Sequence, residues 1–350
     1  MNPLTNDVIK IFSFAALAFF MALLFTPTLT YFLYKYKFWK KEVKAKAIDG
    51  GEIPVFQKFH TENETKTPRA GGILFWLTTL ILSFLFLIIS RITGIEELNF
   101  LSREETWLPL FALVTASTIG LFDDILTVNG GGRYIGGGFS LKIRLLLIAL
   151  IGLIGGYWFY FKLGWTTLHV PGLGPIEIGI FYIPLFILIM LAVYSGGVID
   201  GLDGLAGGTF VSIFTAFSII ALWQDKINLA TFCAVIVGTL LAFLWFNIPP
   251  ARFYMGETGS MGLTAALAVV VFFTDSVLVL PIIGFLLVVW SGSVIIQVLS
   301  KKIRKKKVFL AAPIHLHLQA KGWPHYKITM RMWLIGAVMA IIGTAIRLLG

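Results

Sequence analysis

Ten apolar stretches of membrane-spanning length, separated by short polar connections, leave this 350-residue chain few ways to fold. A hydrocarbon core of roughly 30 Å is crossed by about 20 apolar residues in a helix, which satisfies its own backbone hydrogen bonds there. The stretches lie at approximately 9–33, 71–89, 108–122, 143–161, 180–199, 206–223, 228–246, 260–273, 277–299 and 329–349. With 57% hydrophobic and 13% charged residues, they predict an all-α polytopic membrane protein, a single transmembrane domain over 1–350 with ten helices. The eighth and ninth stretches are parted only by Thr274-Asp275-Ser276, which predicts a tight turn. The 162–179 connection predicts a short hairpin or turn around Leu168 to Pro175. The first stretch has no basic flank or small-residue cleavage site, so it reads as an anchor that stays.

Charge orients the chain. The alternate connections 34–70, 123–144, 247–259 and 300–328 hold 21 of the 28 lysines and arginines, which places them in the cytoplasm and both termini on the other side. The net charge of +10 sits mostly beside the apolar stretches, at Lys35, Lys37, Lys40, Lys41 and the Lys301 to Lys307 run. Anionic membrane lipids are the partner this placement implies, and nucleic acid is not. One cysteine, Cys233, inside an apolar stretch, excludes an internal disulfide or a thiolate metal cage.

The polar constellations share the cytoplasmic face. They are Asp123-Asp124, the glycine-rich 130–138 segment with Arg133 that leads to Lys142 and Arg144, Asp200-Gly-Leu-Asp203, the 247–260 segment with Glu257, and the 312–323 segment with His315 and His317. Ionised carboxylates repel one another and lose hydration at a bilayer edge, so gathering them is costly unless a cation or a substrate offsets it, and a divalent metal and a phosphorylated substrate are the natural partners. Simpler readings stand beside this one. Asp123 and Asp124 suit a solvated helix end, Asp200 or Asp203 a helix N-cap, and Glu257 a turn carboxylate beside Arg252. Asp200 and Asp203 share a face if their turn is helical, whereas His315 and His317 share one only in extended chain.

Five motifs occur in a fixed order: Phe122-Asp-Asp124, Asp200-Gly-Leu-Asp-Gly-Leu-Ala206, Phe243-Leu-Trp-Phe-Asn247 with Pro250-Ala251, Met255-Gly-Glu-Thr-Gly-Ser260, and Ala312-Pro-Ile-His315 with Lys321-Gly-Trp-Pro324. Together they resemble the polyprenyl-phosphate N-acetylhexosamine-1-phosphate transferases, and the last frame resembles their phospho-N-acetylmuramoyl-pentapeptide transferase branch. The resemblance implies a Mg²⁺-dependent enzyme of the bacterial inner membrane, with a cytoplasmic site and compatible with a homodimer. Its substrates would be UDP-MurNAc-pentapeptide and undecaprenyl phosphate, and its products UMP and lipid I of peptidoglycan synthesis.

The resemblance also implies roles. Glu257, Asp123 and Asp124 would hold Mg²⁺, Asp123 would deprotonate or orient the lipid phosphate, and His315 would join them as a catalytic residue. Lys142 and Arg144 would hold the diphosphate, Asp200, Asp203 and Asn247 the nucleotide side, and Tyr254 the uracil ring. His317 and Gln297 complete the substrate-binding set. The chain departs from the family pattern at Glu257, where the family has aspartate, and at Leu316, which interrupts a triple histidine. Gly197 stands for an asparagine, Gln319 for an acidic residue, and Thr127 or a neighbour for a lysine. A sister transferase using another UDP-HexNAc, as in teichoic acid, O-antigen or exopolysaccharide priming, is the near alternative. A transporter or scramblase is the distant one, although such proteins place charges near mid-membrane between repeated halves.

Overall fold

A computed structural model describes residues 3–41, 57, 64–130 and 137–350. In chain order the helices are α1 (Leu4–Lys35), α2 (Ile73–Thr93), α3 (Trp107–Val128), α4 (Leu141–Lys162), α5 (Gly179–Ile199), α6 (Leu205–Trp223), α7 (Ile227–Asn247) and α8 (Gly256–Phe273), followed by the short α9 (Leu280–Ile283), α10 (Phe285–Arg304), the short α11 (Ile314–Ala320) and α12 (His325–Leu349). Among the described residues ten of them are long and apolar enough to cross a membrane, one for each stretch expected from the sequence. The 162–179 connection forms the expected hairpin, with β1 (Thr167–Val170) antiparallel to β2 (Gly174–Glu177).

The ninth stretch departs from a single helix starting at 277. Pro281 is tolerated only in the first turn of α9, Gly284 closes that turn, and α10 starts afresh at Phe285. The turn before it occurs where expected, with Asp275 in the left-handed region at φ 47°.

One helix sits at the centre. The apolar window of α8 is 94% buried, against 22% for α1 and for α12, whose side chains such as Leu24 and Ile341 face outward, as lipid-facing residues do. Small residues explain how α8 is surrounded, because apolar helices in lipid gain from close backbone packing. A Cβ on Gly262 of α8 would lie 1.9 Å from Ser117 Oγ of α3, and one on Gly120 of α3 would lie 2.3 Å from the Glu257 carbonyl oxygen. The antiparallel α3 and α8 therefore meet backbone to backbone, and the C-terminal end of α3, which carries Asp123 and Asp124, lands on the N-terminus of α8. A ring cluster of Phe159, Phe186, Phe272 and Phe273 fills the other end, with Phe186 stacked on Phe272 at 4.2 Å.

Candidate active site

Helix N-termini leave amides without intrahelical partners and carry partial positive charge. At α8 two carboxylates from elsewhere in the chain satisfy them. Asp124 accepts Thr258 N–H at 3.0 Å on Oδ2 and Glu257 N–H at 3.2 Å on Oδ1. Asp200 accepts Gly256 N–H at 3.2 Å on Oδ2. The approach requires glycine at 256, which has φ 74° and where a Cβ would lie 2.4 Å from Asp124 Oδ2. Arg69, from the segment before α2, donates from Nε to Asp124 Oδ1 at 3.3 Å.

Asp123, one residue earlier, points instead to α4. Arg144 grips it as a fork, Nε to Oδ1 at 3.0 Å and Nη2 to Oδ2 at 2.8 Å, and Phe139 N–H adds a bond to Oδ1 at 2.7 Å. The third arm of the guanidinium, Nη1, reaches Glu257 Oε1 at 2.5 Å, and Tyr194 of α5 also hydrogen-bonds Arg144. The Asp123 side chain is fully buried, whereas that of Glu257 is 24% exposed, so Glu257 forms the open side of the cluster. Its cation is Arg144; Arg252, the neighbour suggested by the sequence, is exposed and lies over the Phe246 ring.

The Asp200 to Asp203 turn is not helical, so the two carboxylates do not share a helical face. The chain leaves a tight turn at Ile199 and enters α6 through Gly204 at φ 76°, and neither aspartate side chain caps α6. Both brace the 248–256 segment instead, Asp200 at Gly256 and Asp203 Oδ2 at Ala251 N–H, 3.0 Å away. Asn247 works with them: Oδ1 accepts Gly204 N–H at 2.9 Å and Nδ2 donates to the Phe253 carbonyl at 2.8 Å. Burial pushes the Asp200 carboxyl up to about 7, with Arg69 drawing it down and Glu257 pushing it up. Burial opposes the charge of Arg69, but Asp124, Glu64, Asp200 and Glu257 together hold that guanidinium more firmly charged than usual. Tyr254 bonds Thr67 through its side chain, and burial raises its phenol above the ordinary range.

The two histidines of α11 part company. His315 is buried, its Nδ1 accepting Trp290 Nε1–H at 2.8 Å, and its ring lies so close to Gly201 that a Cβ there would sit 2.4 Å from Cε1. It therefore abuts the Asp200 turn. His317 turns toward the preceding loop, where its Nδ1 accepts Leu310 N–H at 3.1 Å. Gln297, buried on α10, clasps the same loop: Oε1 accepts Val308 and Phe309 N–H, and Nε2 donates to the Phe309 carbonyl at 2.9 Å. Lys142 is exposed, because two residues of helix turn it away from the Arg144 face. Arg133 lies outside the described residues.

The cluster thus unites Asp123, Asp124, Arg144, Asp200 and Glu257, with His315 at its edge; Asp203, Asn247 and Tyr254 shape the adjoining loop. Sequence reasoning missed Arg69, Tyr194 and Trp290 as partners of these groups. Arg69 had a signal, a lone cation in a Thr-Pro-Arg-Ala-Gly-Gly turn on the right face, while Tyr194 and Trp290 lie within apolar runs and had none.

The described residues contain no group of three or more His, Cys, Asp or Glu side chains set as a ready metal cage. The donor chemistry nevertheless fits a hard divalent cation. Four carboxylates, those of Asp123, Asp124, Asp200 and Glu257, face two guanidiniums, Arg69 and Arg144, so that with all four ionised two negative charges are unmatched. Among the described residues Glu257 Oε2 is held only by Ser260 Oγ at 3.5 Å, and carboxylate oxygen is the ligand that Mg²⁺ takes. Asp124 differs, since each of its oxygens accepts a backbone N–H of α8, whereas Asp123, also engaged at both oxygens, is held chiefly by the Arg144 side chain.

The sequence model of glycosyl transferase family 4 matches residues 106–275. Three similar proteins are all named phospho-N-acetylmuramoyl-pentapeptide-transferase. That of Levilactobacillus brevis is 35% identical over 290 residues, 81% of this chain and 84% of its own. That of Listeria welshimeri is 33% identical over 335 residues, 95% of this chain and 96% of its own. That of Chloroflexus aurantiacus is 32% identical over 297 residues, 81% of this chain and 77% of its own.

Proposed function

The chain belongs to glycosyl transferase family 4, and on that premise we propose that it transfers phospho-MurNAc-pentapeptide from UDP-MurNAc-pentapeptide to undecaprenyl phosphate, forming lipid I. In this reaction an oxygen of the lipid phosphate bonds to the sugar-bearing phosphorus, the bond from that phosphorus to the bridging oxygen breaks, and UMP leaves. Such transfers demand positioning and neutralisation of charge more than covalent help.

The observation that carries the proposal is the carboxylate and guanidinium cluster built on the N-terminus of the central helix. Glu257 and Asp123 would hold Mg²⁺, which supplies charge neutralisation and Lewis acidity to the diphosphate. Arg144 and the exposed Lys142 are the cations on the same connection that meet phosphate oxygens. A phosphate monoester has its second pKa near 6, so a lipid phosphate at neutral pH is mostly dianionic and needs no base, and Asp123 would orient it by helping to hold the cation that it meets. Asp200, Asp203 and Tyr254 line the nucleotide side, and Asn247 holds that loop in place. His315, fixed by Trp290, closes the edge beside Gly201 and contacts the sugar or its phosphate. The charged ends of apolar helices suit an acceptor whose tail stays in lipid while its headgroup reaches the cytoplasmic face of a bacterial inner membrane.

UMP release by purified protein in detergent tests the reading, with Mg²⁺, undecaprenyl phosphate and either UDP-MurNAc-pentapeptide or UDP-GlcNAc. Release with the first donor is the expected result. Release with UDP-GlcNAc alone moves the chain to the sister reading, and no release with either sinks both.

A further inference from the structure

The strongest cation already in the cluster is part of the chain. Arg144 ties together the two carboxylates that α8 does not use as caps, Asp123 by a two-pronged grip and Glu257 by a single bond. Asp124 and Asp200 satisfy the α8 amides, whereas Asp123 accepts the Phe139 amide ahead of α4 and neither it nor Glu257 caps α8. Were Arg144 absent, these two would face each other as like charges. With a divalent cation between them, the guanidinium would add a third positive charge against only two negative ones. The metal and the guanidinium therefore compete for the same two carboxylates.

From this we infer that Arg144 is a latch: it holds Asp123 and Glu257 together in the ligand-free protein, a divalent cation displaces it, and the released guanidinium turns to the donor's diphosphate. The cation enters on the Glu257 side, where the carboxylate is 24% exposed while Arg144 is 10% exposed. Arg144 lies in the first turn of α4, and Gly138, at φ 84°, lets the preceding backbone close over its guanidinium, where a Cβ would lie 3.0 Å from Nη2. Tyr194 supplies a second hydrogen-bonding partner that does not depend on the carboxylates. The inference rests on the proposed cation site, and it requires that removing Arg144 strengthen metal binding.

Mn²⁺ serves as the probe, titrated by electron paramagnetic resonance into purified protein with no UDP-sugar or lipid phosphate present. R144Q is expected to bind at least about tenfold more tightly than the unsubstituted protein, and Arg144→Lys, which keeps charge but loses the fork, to fall between. Equal or weaker binding by R144Q overturns the latch. Should R144Q fail to fold, labelling of the unsubstituted protein with phenylglyoxal reads the same event. Mg²⁺ should increase modification of Arg144 and leave Arg69 unchanged, and unaltered or reduced labelling of Arg144 also refutes displacement. Both readouts omit the transfer reaction, so absence of UMP release would defeat the transferase reading while the latch is judged separately.

Discussion

The two ends of α8 are both capped by charge, yet only one end holds more charge than capping needs. At the C-terminal end, Lys226 donates to the Phe273 carbonyl at 2.5 Å, and Gln224 and Arg347 donate to the Thr274 carbonyl at 2.8 and 3.4 Å. Cations and amides there match the negative pole of the helix. At the N-terminal end, Asp124 and Asp200 match the positive pole in the same way, but Asp123 and Glu257 stand beside them and bond to Arg144 instead. Helix capping accounts for two carboxylates and leaves the other two unexplained by stability. That remainder distinguishes a site from a terminus.

The comparison breaks most sharply at Asp124. Asp124→Ala removes two amide acceptors and strands the Arg69 guanidinium, and breaking a buried pair costs about 3–5 kcal/mol. Thermal denaturation in detergent should show a large fall in Tm together with lost UMP release, and Asp124→Asn should recover part of the stability. An alanine variant as stable as the parent would mean that Asp124 is not the cap it looks like. Glu257→Gln is the complementary test. It keeps the shape and most of the packing, so Tm should hold while UMP release falls by at least about 10²-fold. A collapse in Tm with residual specific activity intact would assign Glu257 to structure.

The opposite end should behave in reverse. Lys226→Met removes a charged donor to the Phe273 carbonyl and a cation over the Trp165 ring, and such bonds contribute about 1.5–3 kcal/mol. Tm should fall while UMP release per folded molecule stays at the parent value. A selective loss of activity would place function at both ends and dissolve the contrast.

Asp200 is a cap whose ionisation opposes its burial, and pH exposes that conflict. Its carboxyl titrates at about 7 in the folded chain against 3.8 in the reference state. Between those values the folded state holds the extra proton, so the contribution to stability is complete at low pH and is lost as pH rises through about 7. With a chelator present, Tm should decline over that window, and Asp200→Asn should flatten the decline. An unchanged slope in the variant would show that another group carries the titration.

Much of this was legible beforehand because hydropathy dictates it: every apolar run but the ninth, which splits into α9 and α10, became one helix, and the constellations fell at the ends of helices. What escaped was direction. Adjacent residues on α3 diverge, Asp124 to the α8 amides and Asp123 to α4, because Gly120 and Gly262 set the crossing of two helices far apart in sequence. The Asp200 to Asp203 spacing suggested one helical face, but Gly204 in the left-handed region sends the two carboxylates to opposite ends of one loop. Gln297 and His317 reveal a loop clasp only when Val308 to Leu310 fold back onto them.

Lys142 gives the finest test, since it lies two residues from the latch yet bonds to nothing among the described residues. An exposed lysine without a carboxylate partner adds little to stability, so Lys142→Ala should leave Tm unchanged. As a flexible point charge near the entrance, it can only help draw in and hold a diphosphate, a contribution made equally before and during transfer. The expected result is therefore a rise of a few fold in KM for the UDP-sugar, with kcat unaltered. A fall in kcat at constant KM would mean that Lys142 swings inward during the reaction and shares the work assigned to Arg144. In that case the unmatched charge at the N-terminal end of α8 would be met by two basic side chains of α4 rather than one.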